Sequence, residues 1–260
     1  CADDTEDGYA PGGGAQDCAR HASDYDAAPW AISLSELLRL IQFFNSGGYA
    51  PAGGTEDGYG PGAAAWWPDL FFEAAEMEDQ SIDTTTLPGR TLFRFSTSIP
   101  NIGLGELRLI SVGDPVGGLT DVVQRIDRAD GTTFDVAAPN FAYNVDTELM
   151  EVTGWAEYRL RAFGAGGEVG DVLATGGKTI VNITSSTAFD LDLPNAPTFG
   201  NQIFAGDGQH GISVGYTDLY PKFLEKQWID VTGLNSGTYW LEVEINGART
   251  LEEADSANNV

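Results

Sequence analysis

The chain has 260 residues, with 13 basic against 39 acidic side chains and a formal net charge of −26. A surface this acidic repels nucleic acid and anionic membranes and favours divalent cations or basic partners. Its 42% apolar content supports a real core, no apolar run reaches membrane-spanning length, and the length fits one large domain or a domain with a small module.

The N-terminal part is repetitive. Thr5-Glu6-Asp7-Gly8-Tyr9-Ala10-Pro11-Gly12 recurs as Thr55-Glu56-Asp57-Gly58-Tyr59-Gly60-Pro61-Gly62, a period of 50 residues. Residues 1–12 read as the tail of an earlier unit, so the natural protein is expected to extend further towards its N-terminus. The two cysteines, Cys1 and Cys18, could pair with each other or with another repeat or chain. A cysteine at position 1 also suits a mature bacterial lipoprotein. The stretch from Asp24 to Glu36, with Asp24, Asp26 and Glu36 as candidate ligands, is similar to an EF-hand or dockerin loop. It departs from that pattern by one extra residue and by Ala28-Pro29 where glycine and a third acid are usual. Ser33-Leu34-Ser35-Glu36 reads as a capping box opening a helix over Ser33–Asn45. Leu37, Leu38, Leu40, Ile41, Phe43 and Phe44 give that helix a broad apolar stripe, and Asn45-Ser46-Gly47-Gly48 stops it. One helix with so much apolar surface is expected to pack on a neighbouring unit or on the next domain.

From Trp66 the texture changes to short apolar or alternating runs: Thr91–Ser98, Leu104–Ile110, Val122–Ile126, Trp155–Phe163, Thr179–Ile183, Trp228–Val231 and Thr238–Ile245. Gly, Pro, Asn and Asp punctuate them. This predicts a mainly β protein, an antiparallel β-sandwich over 66–260, preceded by a small Gly/Pro-rich repeat unit with one helix over 1–65. Leu241-Glu242-Val243-Glu244-Ile245 alternates, so one face is expected buried and the other wet. The N-glycosylation pattern Asn182-Ile183-Thr184 falls in a predicted strand, which argues for chance. There is no G-x-S-x-G, no P-loop and no Cys–His pair, and acidic pairs are too abundant to indicate glycosidase chemistry.

The tail carries the most specific signal. The runs Gly211–Tyr220 (GISVGYTDLY), Gln227–Thr232 (QWIDVT), Gly237–Asn246 (GTYWLEVEIN) and Glu253–Asn259 (EADSANN) resemble the C-terminal half of the lysyl oxidase catalytic domain. Pro68-Asp69-Leu70, Leu92–Thr97 (LFRFST), the N-x-G-x-G of Asn101–Gly105 and Gln124–Ile126 followed by Asp130-Gly131 extend the resemblance over roughly 66–260. That family oxidises lysine amines with copper held by an H-x-H-x-H triplet and a quinone made from its own lysine and tyrosine. Trp155–Leu160 (WAEYRL) is similar to the segment after the triplet, and counting back puts the ligand positions on Thr147, Leu149 and Glu151. These cannot replace three imidazoles. The whole chain has two histidines, His21 and His210, so copper is not expected and neither is catalysis. By the same resemblance Lys178 and Tyr220 stand at the quinone-precursor positions. Without copper both are expected unmodified, a solvated lysine and a half-buried tyrosine.

The family's calcium site is the exception. The resemblance implies Asp69, the Leu70 carbonyl, Glu253, Asp255, Asn258 and Asn259 as an all-oxygen shell suited to a hard ion, tying the first strand to the last segment. The alternative is an acidic tail with an Asn-rich turn. These readings predict a non-catalytic extracellular or cell-surface protein of prokaryotic type, braced by calcium. It is expected to self-associate or bind other surface proteins through the repeat unit, as a subunit of a surface assembly or filament. The alternative is a divergent copper-dependent amine oxidase.

Overall fold

The computed structural model describes residues 32–45, 49–51 and 59–260. Cys1, Cys18, Asp24, Asp26 and the first copy of the repeated octapeptide lie outside the described residues. The chain divides into two compact units, one up to Ala65 with Arg128–Thr132, the other Trp66–Asp127 with Thr133–Val260.

In the first unit, helix α1 spans Leu34–Asn45. Its start is the capping box read from the sequence: the Ser33 amide donates to Glu36 Oε2 at 2.7 Å and the Glu36 amide to Ser33 Oγ at 3.3 Å. Glu36 is buried and engaged at this cap. Strands β1 (Tyr49–Pro51) and β2 (Tyr59–Pro61) pair antiparallel. Tyr49 meets Phe43 at 5.4 Å and Tyr59 edge-on at 5.2 Å between ring centroids. Arg39 lies over Phe43 and donates to the Tyr59 carbonyl. Phe43 is buried, whereas Leu34, Leu37, Leu38, Ile41 and Phe44 are exposed.

The strands continue as β3 (Ala65–Trp66), β4 (Ser81–Asp83), β5 (Leu92–Arg94), β6 (Thr97–Pro100), β7 (Leu107–Val116), β8 (Leu119–Arg128), β9 (Thr133–Asn144), β10 (Leu149–Phe163), β11 (Val169–Val181), β12 (Thr187–Ala188), β13 (Gln209–Ile212), β14 (Tyr216–Tyr220), β15 (Trp228–Asp230) and β16 (Tyr239–Ile245). In the second unit one large sheet runs β11-β10-β9-β8-β7-β13, with β16 also on β10. Two three-stranded sheets, β12-β14-β6 and β15-β5-β4, complete it. All these pairings are antiparallel. The apolar faces meet in one core that joins Phe95 and Ile99 of the small-sheet side to Trp155, Tyr158, Val243 and Ile245 of the large sheet. Phe95 packs edge-on against Tyr158 at 5.0 Å. The fold is therefore mainly β, antiparallel and sandwich-like, with α1 the single α-helix among the described residues. On β16, Val243 and Ile245 are buried while Glu242 and Glu244 face outward to Arg159 and Arg161.

Two local departures from the sequence reading position the site. The run Thr91–Ser98 is broken between β5 and β6, so it serves two sheets rather than one. Strand β10 is longer than the predicted Trp155–Phe163 and is bent. Glu151 pairs with Ile180 but Ala156 with Lys178, five residues on one strand against two on the other, with Gly154 at φ +78° in the bend. On the edge opposite β11, β9 gives way across this bend to β16. Asn182 is not in a strand; it lies just past β11 and is exposed.

Candidate functional site

Two places in the second unit bring sequence-predicted residues together. The first is interior. Strand β14 buries Tyr216, Asp218 and Tyr220, spaced two apart and thus on one face. Opposite it, β10 contributes Trp155 and Tyr158, and β11 contributes Lys178. The Gly176-Gly177 pair before Lys178 has a steric reason. A Cβ on Gly176 would sit 2.4 Å from the Trp228 carbonyl oxygen, and one on Gly177 2.8 Å from that of Ala156. Glycine lets β15 and β10 close on the strand from both sides and so fixes where the lysine enters the core.

Lys178 is 6% exposed and Tyr220 4%. This corrects the expectation of a solvated lysine and a half-buried tyrosine: past the register slip Lys178 pairs with the buried Ala156 and shares its inward face. Its Nζ lies 4.6 Å from the Tyr220 ring centroid, and it has no hydrogen bond or ion pair among the described residues. On β10 and β14, Trp155 Nε1, Tyr216 Oη, Asp218 Oδ2 and Tyr220 Oη are buried without a hydrogen-bond partner. Asp218 and Trp155 are close enough to Tyr220 to perturb its titration, yet outside hydrogen-bonding geometry. Burial pushes the Asp218 carboxyl up to about 8 against the opposing influence of Tyr220, of the Thr184 backbone and, least, of the Lys178 charge. Burial brings the Lys178 amine down to about 8 against the pull of Asp218 and Glu225. Burial, then the Asp218 charge, holds the Tyr220 phenol well above its usual value.

The three positions counted as copper ligands do not join this cluster. Thr147 lies in the β9–β10 turn, its amide donating to Asn144 Oδ1 at 3.1 Å. Glu151 accepts from Asn144 Nδ2 at 2.8 Å. Leu149 and Glu151 alternate with the buried Met150 and Val152, and Glu151 pairs with the exposed Ile180. They therefore point away from the core that Lys178 enters. His210 is buried on β13 against Tyr143, both ring nitrogens without a partner and its basicity lowered by burial. Among the described residues no three His, Cys, Asp or Glu side chains converge. One threonine, one leucine and one amide-bonded glutamate do not fit copper.

The second place is the seam between Pro68–Leu70 and the C-terminal segment. Asn101 is fully buried and uses its whole amide: Oδ1 accepts from Asp69 and Gly103, and Nδ2 donates to the carbonyls of Gly105 and Ile212. A Cβ on Gly103 or Gly105 would fall 2.4 Å or 2.0 Å from the carbonyl oxygens of Trp67 and Trp66. The N-x-G-x-G pattern thus clamps Trp66–Asp69 in place. Across from it, Glu253 accepts from the Leu70 amide at 3.1 Å, from Asn246 Nδ2 at 2.6 Å and from Asn259 Nδ2 at 3.0 Å. Asn258 Nδ2 donates to Asp69 Oδ1 at 2.8 Å, and the Asn259 carbonyl accepts from Ile245. The geometry thus gathers Asp69, Leu70, Glu253, Asn258 and Asn259. Asp255 is exposed and its Oδ1 caps the Ala257 amide; it makes no hydrogen bond to the others. Oδ1 of Asn258 and of Asn259 are buried acceptors with no partner. Burial raises the Glu253 carboxyl, its hydrogen bonds oppose this, and the Asp69 charge adds to it. Two carboxylates and two orphaned amide oxygens fit a hard cation by donor chemistry.

The sequence reading missed Asn246, which holds this seam together. Its Oδ1 accepts from Thr250 and Leu251, and its Nδ2 donates to Leu251 and Glu253. The Asn246-Gly247 step after an alternating strand was the available signal. It also left Trp155 and Asp218 without a role, since burial is a tertiary property.

Comparison with known proteins bears on both places. Residues 199–260 match the lysyl oxidase family model, a narrower span than the resemblance read over 66–260. The chain is 36% identical over 58 residues to lysyl oxidase homolog 2 of Xenopus laevis, covering 22% of this chain and 8% of that protein. It is 44% identical over 55 residues to lysyl oxidase homolog 3 of Homo sapiens, covering 21% and 7%, and 29% identical over 92 residues to lysyl oxidase homolog 4 of Bos taurus, covering 35% and 12%. The match thus takes in only a small part of these relatives. Tyr220, Asp218 and the whole Glu253–Asn259 segment fall inside the matched span, and Lys178 and Asp69 outside it. Through its C-terminal segment the chain is lysyl-oxidase-like.

Proposed function

We propose that this is a non-catalytic, extracellular or cell-surface structural protein of prokaryotic type, with a lysyl-oxidase-like sandwich braced by calcium at the Asp69–Glu253–Asn258–Asn259 seam. The observation that carries the non-catalytic part is the donor set. The three positions that would hold copper are Thr147, Leu149 and Glu151, none of them a nitrogen ligand, and on β10 Leu149 and Glu151 alternate with the buried Met150 and Val152. The calcium part is supported by the orphaned oxygens of Asn258 and Asn259 beside two carboxylates.

One observation favours the alternative, a divergent amine oxidase: the amine and phenol at the quinone-precursor positions lie against each other. The discriminating experiment loads the purified chain with copper in air. It then assays hydrogen peroxide release with a diamine, quinone staining, and a peptide map for a Lys178–Tyr220 cross-link. None of the three signals is expected. Signals that disappear in Tyr220→Phe would replace the structural reading with the enzymatic one.

The exposed apolar side chains of α1, on a unit whose sequence repeats at a 50-residue period, support assembly into a surface array or filament through this unit. Sedimentation velocity is expected to find oligomers that dissociate in Leu38→Asp/Phe44→Asp. A wild-type chain that stays monomeric at high concentration would remove this part of the reading.

A further inference from the structure

We propose that Lys178 is a reactive amine that captures small aldehydes as an imine, with Asp218 as the proton donor and acceptor and Tyr220 and Trp155 lining the site. The inference deepens the non-catalytic reading, because it rests on Lys178 remaining an unmodified residue. Four observations combine. The residue is buried, 6% exposed, so its side chain is held in the core and largely desolvated. It has no carboxylate within ion-pairing distance to hold it as an ammonium ion. The Tyr220 ring covers one side of it. A carboxyl oxygen of Asp218, the Tyr220 phenol and the Trp155 indole N–H are each buried without a partner, with Asp218 and Trp155 close to Tyr220 and the Asp218 charge felt at Lys178. A desolvated lysine beside an acid and unpaired hydrogen-bond donors is the arrangement that condenses with carbonyl compounds.

The chemistry balances without an added oxidant or metal. The neutral amine attacks the aldehyde carbon and a C–N bond forms. The carbonyl oxygen takes a proton from the Asp218 carboxyl, and the nitrogen returns one to the Asp218 carboxylate. Asp218 then protonates the hydroxyl, which leaves as water, and recovers the last nitrogen proton. The sum is amine plus aldehyde giving imine plus one water. Burial supplies both required protonation states near neutral pH: it lowers the Lys178 amine to about 8 and raises the Asp218 carboxyl to about 8. The ring face of Tyr220 and the charge of Asp218 favour the ammonium form and limit this effect.

The chain carries its own controls, because it has three lysines, Lys178, Lys222 and Lys226. Lys222 is partly exposed and donates to the Asp79 carbonyl; Lys226 is exposed. The full chain is treated with acetaldehyde and cyanoborohydride across pH 6–10, and alkylation at each lysine is followed by peptide mass mapping. Lys178 is expected to react about ten-fold or more faster than the other two at pH 7.5, since burial lowers its basicity to about 8. Its rate is expected to pass through a maximum near pH 8, because the neutral amine is gained and the Asp218 carboxyl lost around that pH. Asp218→Asn, checked for folding by thermal melting, is expected to slow Lys178 and leave Lys222 and Lys226 unchanged. A Lys178 rate equal to or below the controls in the wild-type chain overturns the proposal, whatever the variant does. An unchanged Lys178 rate in folded Asp218→Asn overturns the role given to Asp218. A Lys178–Tyr220 cross-link in the untreated chain would overturn both this proposal and the non-catalytic reading. An intact but unreactive Lys178 would overturn this proposal alone.

Discussion

Withdrawing calcium is expected to lower the melting temperature of this chain by roughly 3–10 °C. Asp69 and Glu253 face each other across the seam, and the Asp69 charge adds to the burial that raises the Glu253 carboxyl. An empty seam therefore holds two carboxylates that disfavour each other and two amide oxygens, on Asn258 and Asn259, with nothing to accept from. A divalent oxygen-seeking ion relieves both costs. Extracellular calcium modules bind at about 0.1–1 mM. At about 10 mM calcium such affinities stabilise the folded state by about 1.4–2.7 kcal/mol, and each kcal/mol moves the midpoint by about 2–4 °C in a domain of this size. The ion would join Asp69 to a segment nearly 200 residues further along the chain, so the effect should appear as global unfolding. The measurement is a thermal melt in chelator and in calcium, for wild type and for Asp69→Asn and Asn258→Ala. Wild type is expected to gain from calcium and Asp69→Asn to gain little. Equal midpoints for wild type in both conditions would leave Glu253–Asn259 as an acidic tail held by its hydrogen bonds.

Asp218→Asn is expected to overtake the wild-type chain in stability as pH rises, by up to about 1.4 kcal/mol for each pH unit between 4 and 8. Burial raises the folded-state carboxyl from 3.8 to about 8. The folded chain therefore binds a proton across that window that the unfolded chain has released. The stabilising contribution is complete below the unfolded value and is lost as pH rises towards the folded one. Lys178 acts in the opposite sense at higher pH. Its folded value is lowered from 10.5 to about 8, so stability is regained as pH rises from about 8 towards 10.5. Wild type should accordingly show a shallow minimum of stability near pH 8, and the asparagine variant should lack the fall that leads to it. Denaturant unfolding at pH 5, 6.5, 8 and 9.5 reads this directly. Parallel pH profiles for the two chains would mean that Asp218 is ionised, or hydrated, in the folded protein.

What the sequence could and could not reveal follows the range of the interactions involved. The capping box at Ser33–Glu36 is complete within four residues, and its two predicted hydrogen bonds are the observed ones. The alternation Leu241–Ile245 likewise fixed which face of β16 is buried, because side-chain direction along a strand has a period of two. Antiparallel β architecture was readable from short runs separated by turn residues. The donor types at Thr147, Leu149 and Glu151 already spoke against copper, since identity alone decides whether nitrogen ligands exist.

Other features depended on tertiary structure. The slipped register between β10 and β11 pairs Lys178 with the buried Ala156, while Glu151 pairs with the exposed Ile180. No local pattern marks that slip, because register is a relation between strands distant in sequence. Asn182 looked like part of a strand because apolar neighbours continue past Val181, yet pairing stops there. Asn101 and Asn246 stand in the sequence only as members of the N-x-G-x-G and GTYWLEVEIN runs, and the fold makes them the polar hubs of the seam. The shifted basicity of Lys178 and Asp218 has the same origin. By itself the sequence determined which side chains this chain possesses and how its local segments begin, alternate and end. Which of those side chains lose water, and which distant ones meet, was decided by the packing of the sheets, since desolvation and long-range contact exist only in the assembled core.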